Sequence, residues 1–545
     1  MSNPVFTYQT RIAPTSDQAG LLDAYAELHG KAERSLFAAM QAGGAINDLK
    51  RAFQKRFGIS ARQFNAMRVE LEGKIASIKA LRPEQILESE ARIAKAKKTI
   101  AKLEKQQPAT ATLRQKLHQK KRRLKRLQEQ LAQRRADEEA GAVRLCFGSK
   151  KLFHAQFNLQ ENGFADRADW KAHWQQARSN QFFCLGSQDE TAGNQSCQAH
   201  INAHGALDLQ LRLPHVLADK GKHITFTGVR FAYGHEAIVA ALNTSRRIQT
   251  TTRAGTPCSK RIGTALSYRF LRDEKGWRLF VSVEAQPVEV VTRGALGAIG
   301  VDVNVDHLAV AQTDRFGNLI DAQRIALVTY GKTANQAKAL IGDVAATLAE
   351  QARAAGKPIV VEELDFRKKK AALEGADPKQ ARLLSSFAYN ATLSAIKAAA
   401  FRAGVEVVEV NPAFTSVIGA VNVAQEKGIS VHQGAAYAIA RRGSGLSERP
   451  TVRTVVAPTR NGGHVTFALP ARNRAKHVWS FWSRVRKTLT AAHEAHFRCG
   501  EHHSNPPPLS PSKPRVSPIW ESPVKSRRAN RCSDCSGDVE SDLPW

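Results

Sequence analysis

Residues 298–314, AIGVDVNVDHLAVAQTD, place a single carboxylate in the middle of a run otherwise built for burial. Ile299, Val301 and Val303 alternate around Asp302 in a β-branched strand, and a second strand follows at once. A carboxylate taken out of water without a partner is costly, and a metal ion is the usual resolution. The competing reading is a strand-end aspartate facing solvent. On these residues alone the two are evenly balanced.

Two further segments stand at long spacing. PIVVEELDF (358–366) is an apolar run with Glu362 at its C-terminal end. The adjacent Glu363 points to the opposite face, so only one of the two can enter a site; Glu362 is the choice and Glu363 the reserve. The third segment, VHQGAAYAIARR (431–442), carries His432 near the start of a helix. Phosphodiester hydrolysis by two divalent ions about 3.5–4 Å apart needs hard oxygen ligands converging from several elements. Asp302, Glu362 and His432 are the candidate catalytic and metal-binding residues, with Mg²⁺ expected, or Mn²⁺, which accepts nitrogen more readily. Asp306, Asp365 and Glu448 are further acids that could reach in.

Charge narrows the partner. Eighty-one Lys and Arg against forty-nine Asp and Glu give the 545-residue chain a net charge of +32. An excess of this size points to a polyphosphate partner, since each phosphate neutralised releases counterions. An apolar content of 42% is enough for packed domains and argues against a disordered chain. No apolar run approaches the roughly 20 residues needed to span a bilayer, so no membrane partner is expected. MSNPVFTYQT has neither a basic nor an apolar leader region, and seven scattered cysteines fit a reducing compartment. The expected location is the cytoplasm, on the nucleoid when bound to DNA.

Along the chain, residues 5–14 read as a strand closed by Pro14, and helices follow from about residue 16. Ser60 and Gln63 form a capping-box pattern ahead of QFNAMRVELEGKI. Residues 84–139 carry two leucine- and isoleucine-rich stripes interrupted at Pro108, which predicts two antiparallel helices. Between Arg92 and Arg135 lie sixteen Lys or Arg and only two acids, Glu104 and Glu129. So one-sided a face repels itself unless it lies against phosphate, and Lys116, Lys120, Arg122, Arg123, Lys125 and Arg126 are candidate nucleic-acid contacts. Residues 143–292 read as short strands, KLFHAQFNL, QFFCLGS, ALDLQLRLP, HITFTGVRFAYG, ALSYRFL and GWRLFVSVEAQ, forming a small barrel or sandwich with a hairpin at Lys275-Gly276. Arg230, Phe231 and Tyr233 are either a nucleic-acid surface or ordinary strand residues. From 296 the pattern turns α/β: three strands over 297–327, a helix at 334–355, a strand at 358–363, helix at 380–403, strand at 404–410 and helix from 432. A meander followed by alternating elements is the strand order of an RNase H-like domain. A basic helix at 474–497 precedes a Pro- and Ser-rich tail at 501–545 expected to be disordered.

SARQFNAMRVELEGK, FGSKKLFHAQFNL, ARSNQFFCLGSQDETAGNQ, FAYNATL, VEVNPAFTS and SVHQGAAYAIARRGSGL together resemble the TnpB family, OrfB-type accessory proteins of insertion sequences and relatives of the type V CRISPR effectors. The resemblance runs from residue 5 to about 450. It implies a multidomain α+β chain: a wedge-like β-barrel (1–15 plus 143–292), a helical recognition insertion (16–140) containing the basic coiled-coil hairpin, and a RuvC-like nuclease domain with an RNase H fold (296–500). It also implies a transposon-encoded DNA endonuclease that carries a guide RNA and cuts matching double-stranded DNA. A companion transposase is a further expected partner. Asp302 and Glu362 match the acids of the first two RuvC motifs, and Arg441 and Arg442 lie in the third as candidate nucleic-acid contacts.

The chain departs from the family pattern twice. Its third motif reads His432-Gln433-Gly434-Ala435-Ala436 where the family has an aspartate followed by x-Asn-Ala-Ala. The family's zinc ribbon between motifs two and three is missing; VIGAVNVAQEKGIS holds no cysteine, and Cys532 and Cys535 form a lone CxxC in the tail. One CxxC is two ligands short of a tetrahedral site, so no structural zinc is expected. His432 leaves three outcomes open: a histidine-ligated nuclease, a site completed by another acid, or an RNA-guided binder that does not cut. A guide-independent nucleic-acid-binding coiled coil is the alternative outside this class.

Overall fold

The fold is that of a computed structural model, which describes residues 4–106, 110–219, 221–251, 257–286, 288–363, 389–450, 452–459 and 462–500. The chain divides after Pro287 into two compact units.

In the first unit β1 (Val5–Arg11) is followed by α1 (Ser16–Gln41), α2 (Ile46–Phe57), α3 (Ala61–Glu104) and α4 (Ala111–Glu139). Ser60 caps α3 as the sequence predicts: its hydroxyl accepts from Gln63 N while the Gln63 side chain accepts from Ser60 N. α3 runs 44 residues, through Pro83 and into the first arm of the hairpin. Proline removes one backbone hydrogen bond. Beside it, the Arg82 guanidinium donates to the carbonyls of Asp137 and Ala142, tying the bend of the chain back to the end of α4. The arms are antiparallel, as the ion pairs Arg135–Glu90 and Lys121–Glu104 fix the register. Ile93, Ala96 and Leu127 are buried between them, with Leu124 and Leu131 packed alongside. At its other end α3 is held by a buried network: Glu70 pairs with Arg269 at 2.7 Å, Lys74 at 3.1 Å and His29 at 3.6 Å. Burial opposes ionisation of Glu70, but the hydrogen bond from His29 and the charges of Arg269 and Lys74 win and hold it well below its ordinary range.

KLFHAQFNL was expected to be a strand; its first half is instead α5 (Lys150–Ala155), because Ser149 caps a helix by accepting from Leu152 N. After α6 (Arg167–Ala177) come β2 (Gln181–Cys184), β3 (Cys197–Ile201), β4 (Leu207–Arg212), β5 (His223–Val229), α7 (His235–Asn243), β6 (Ser245–Thr251), β7 (Pro257–Gly263), β8 (Leu266–Asp273) and β9 (Gly276–Glu284). The hairpin at Lys275-Gly276 is present between β8 and β9. The expected barrel is not. Among the described residues the strands form a four-stranded sheet in the order β1-β9-β8-β2, a three-stranded sheet β3-β4-β5 and a two-stranded ribbon β6-β7, none of them closed. One core joins the two larger sheets, with Phe182, Phe270 and Leu279 from one and Leu209, Leu211 and Phe226 from the other.

The second unit is built on a five-stranded sheet in the order β12-β11-β10-β13-β14. β10 (Ile299–Val303), β11 (His307–Thr313) and β12 (Leu319–Ala326) form an antiparallel meander, and β13 (Ile359–Glu362) and β14 (Val407–Val410) add in parallel. This is the RNase H-like order that the sequence predicts. One face is covered by α8 (Ala334–Ala355) and α9 (Tyr389–Ala403), which bury Ile299, Val301, Ile359 and Val361 against Ile341, Leu348 and Ile396. Across the other face lies α11 (Val431–Gly443), preceded by the short α10 (Thr415–Ile418) and a π-turn at Gly419–Val423. A hairpin the sequence reading missed, β15 (Thr454–Pro458) and β16 (His464–Ala468), packs with α12 (Val478–Gly500) around Val455, Phe467, Phe481 and Trp482. Among the described residues no helix is long and apolar enough to cross a membrane. Asp365, Pro108, the Cys532/Cys535 pair and the whole 501–545 tail lie outside the described residues.

The second unit depends on one close approach. A Cβ built on Gly300 would stand 2.0 Å from the Ala436 carbonyl and 2.5 Å from Ala440 N, so the backbone of α11 rests directly on β10. Gly300→Ala therefore has to push helix from sheet, and a loss of about 1–3 kcal/mol is expected. Its denaturant midpoint reads this directly; an unchanged midpoint would contradict the packing.

Candidate functional site

Asp302 and Glu362 come together through strand register. β10 and β13 run parallel with Val301 paired to Val361, so each acid follows the last paired residue on adjacent strands. Paired positions share a face and stand about 4.8 Å apart between strands. The face is that of Gly300 and Val360, beneath α11, where Gly443 abuts Val360. Tyr389, at the start of α9, responds to both acids: burial first, then the charges of Glu362 and Asp302, push its phenol up, and its hydroxyl donates to the Glu362 carbonyl at 2.8 Å.

Asp302 is 9% exposed. Its Oδ2 accepts from Asn304 Nδ2 at 3.0 Å and faces His432 Nδ1 at 3.2 Å, while Oδ1 has no hydrogen-bond partner among the described residues. Glu362 Oε1 accepts from the buried Thr415 hydroxyl. Glu363, one residue past the end of β13, is exposed.

His432 enters from the first turn of α11. Ser430 caps that turn through a capping box with Gln433. Gly434 meets Gly419 backbone to backbone, with a built Cβ 2.8 Å from the Gly419 carbonyl. The hydrogen bond to Asp302 is the main cause raising the His432 imidazole above its ordinary value; desolvation and Arg324 oppose it, and the charges of Asp302 and Asp306 add to it. Its ring meets the His307 ring edge-on at 5.2 Å. His307, 8% exposed on β11, bonds Asp306 through Nδ1 at 2.7 Å, and Arg324 holds the other Asp306 oxygen at 2.9 Å. His307 is a site residue that sequence reasoning missed. Its only local signal is a histidine in a strand of apolar residues.

The reserve acids divide. Asp306 lies beside the centre but is engaged by His307 and Arg324. Glu448 is committed to Arg441 Nε. Arg441 also donates to the Gly317 carbonyl at 2.7 Å, and Arg442 to the carbonyls of Asn411 and Ala413, so both expected nucleic-acid contacts also fasten the domain.

The donor set bears on metal. Two carboxylates level on adjacent strands, one with an open oxygen, fit a single hard divalent ion whose shell is completed by water and phosphate. The expected third ligand does not fit as placed, because His432 Nδ1 turns to Asp302 rather than alongside it. Among the described residues no three His, Cys, Asp or Glu converge as a metal cage.

A second candidate surface lies in the first unit. On α4, Lys116, Arg122, Lys125 and Arg126 are exposed and Lys120 half-buried; none holds an ion pair among the described residues, and Arg123 lies in the same run. Arg122, Lys125 and Arg126 point away from the Leu127 seam. Arg230 is exposed but donates to the His204 carbonyl; Phe231, expected as a stacking ring, is a core residue at 4% exposure, while Tyr233 is 85% exposed.

No known family profile and no curated protein matches the chain. Solved structures to which it is similar include T. thermophilus RuvC in complex with a Holliday junction substrate, at 19% identity over 27% of this chain and 90% of that one, with a TM-score of 0.19. A Cas12f1–sgRNA–target DNA complex is 14% identical over 36% of this chain and 67% of that one, and a CRISPR–Cas12f ternary complex 11% identical over 80% and 98%, both with TM-scores of 0.19. Likeness at this level decides nothing about activity.

Two measurements test these surfaces. By NMR the His432 imidazole should titrate above 6.5, and Asp302→Asn should return it towards that value; the stabilisation from the pair is present at low pH and fades as pH rises through the raised value. Replacing Lys120, Arg122, Lys125 and Arg126 with Gln should flatten the salt dependence of non-specific duplex binding by about 0.9 in log–log slope for each phosphate that is no longer neutralised. An unchanged slope would remove the hairpin from the interface.

Proposed function

We propose that the chain is a TnpB-like, RNA-guided DNA-binding protein whose RuvC-like centre hydrolyses DNA phosphodiesters. The observation that carries the reading is the pair Asp302 and Glu362, emerging level from adjacent parallel strands of an RNase H-like sheet. The TnpB-like motifs along the chain and its net charge of +32 support the guide RNA and the DNA target.

Asp302 and Glu362 would hold a Mg²⁺ or Mn²⁺ ion, which supplies an activated water and neutralises charge on the scissile phosphate when bound. The chain's own residues set the stage. Asn304 holds Asp302 Oδ2 and leaves Oδ1 facing outwards. Tyr389 anchors the Glu362 main chain, and burial of its phenol keeps it a donor. Asp306, braced by Arg324, fixes the His307 ring beside His432.

The His432–Asp302 contact favours a second reading, an RNA-guided binder that does not cut. A cationic imidazole supplies Asp302 with the positive charge that a metal would otherwise bring.

The test is purification with bound RNA, sequencing of that RNA, and challenge with a plasmid carrying the matching target. Cleavage in Mg²⁺ or Mn²⁺ that falls by at least about a hundredfold in Asp302→Ala, with target binding kept, is the expected result. Binding without cleavage in either metal would leave the second reading. Absence of any discrete RNA would sink both.

A further inference from the structure

The segment NPAFTS (411–416) does more than link β14 to α10. Asn411 Oδ1 accepts from Ala413 N at 2.9 Å, and Arg442 closes the turn from above through the Asn411 and Ala413 carbonyls. The turn ends on Phe414 in the left-handed region, φ 64°, ψ 12°, a conformation unfavourable for a bulky residue that persists only where its surroundings enforce it. They do so here. The Arg486 guanidinium of α12 lies 5.4 Å from the Phe414 ring centre, and the Phe414 carbonyl accepts the first bond of α10 from Ile418 N at 2.8 Å.

The product of this turn is the placement of Thr415. Its side chain is 2% exposed, and its single hydroxyl proton has two acceptors in reach: Glu362 Oε1 and, at 3.2 Å, the Pro412 carbonyl. A local bond to Pro412 would satisfy the hydroxyl without the strained turn. The strain is explained by the other acceptor, since a charge-assisted bond to a carboxylate is the stronger of the two.

We infer that Thr415 is a positioning residue for Glu362, delivered by the Phe414 turn to fix the orientation of the carboxylate that would meet a bound divalent cation. Ligating carboxylates are commonly held by such a neighbour, and its loss typically weakens metal binding 10- to 100-fold. The inference rests on the reading of Glu362 as a metal-holding group.

Mn²⁺ titration of the full chain, followed by the EPR signal of free Mn²⁺, tests it with wild type, Thr415→Val, Thr415→Ser and Glu362→Gln. The valine variant keeps the shape and drops the hydroxyl; it should bind Mn²⁺ about 10- to 100-fold more weakly, and the serine variant should stay near wild type. A valine variant that binds like wild type overturns the inference. A wild type that binds no Mn²⁺, like Glu362→Gln, overturns the metal reading instead. The contact is then decided by denaturant midpoints of Thr415→Val in wild-type and Glu362→Met backgrounds. A loss confined to the wild-type background upholds the hydrogen bond as the hydroxyl's role, and equal losses in both overturn it.

Discussion

Helix α11 lies on strand β10 with main chain against main chain at Gly300, and the candidate centre inherits its geometry from that contact. Two backbones in direct contact have no side chain between them to absorb error, so the height of the helix over the sheet is fixed. That height brings His432, in the first turn, to Asp302. The same helix is pinned at its other end by Gly443 over Val360 and at its start by Gly434 against Gly419. The opposite face of the sheet is an ordinary apolar core under α8 and α9. One face supplies stability and the other chemistry, as the alternation of Ile299, Val301 and Val303 with Gly300 and Asp302 demands.

The centre is an electrostatic balance as much as a constellation. Asp302, Glu362 and Asp306 bring three carboxylates into a small region, and the groups that answer them are the His432 imidazole and the Arg324 guanidinium. Arg441 and Arg442, in the same helix as His432, are drawn off to Glu448 and to main-chain carbonyls. The region therefore keeps fewer positive charges than its sequence suggests, in a protein whose net charge is +32. His432 is the residue on which that balance turns.

Elements governed by strong local periodicity were legible in the sequence. The β10–β12 meander, α8 with its boundaries, the Ser60 capping box and the antiparallel hairpin all appear where the pattern places them. Asp302 and Glu362 were chosen from apolar strand runs, and register then makes them neighbours. What failed depended on context. KLFHAQFNL alternates like a strand, yet the cap at Ser149 turns it into a helix. The β15–β16 hairpin had its turn signal in Asn461-Gly462, which was passed over. Strands that alternate well could form a barrel or open sheets, and alternation does not say which. His307 shows only as a histidine among apolar residues and Thr415 carries no local signal, because each acquires its partner from a residue that only the tertiary fold brings near.

The length of α3 has a mechanical meaning. At 1.5 Å per residue its 44 residues make a rod of about 66 Å, with Phe64, Met67 and Leu71 seated in a hydrophobic core at one end and the cationic arm at the other. A load on that arm would be carried along one continuous backbone to the buried Glu70 carboxylate, which Arg269 and Lys74 clamp from two sides of the joint.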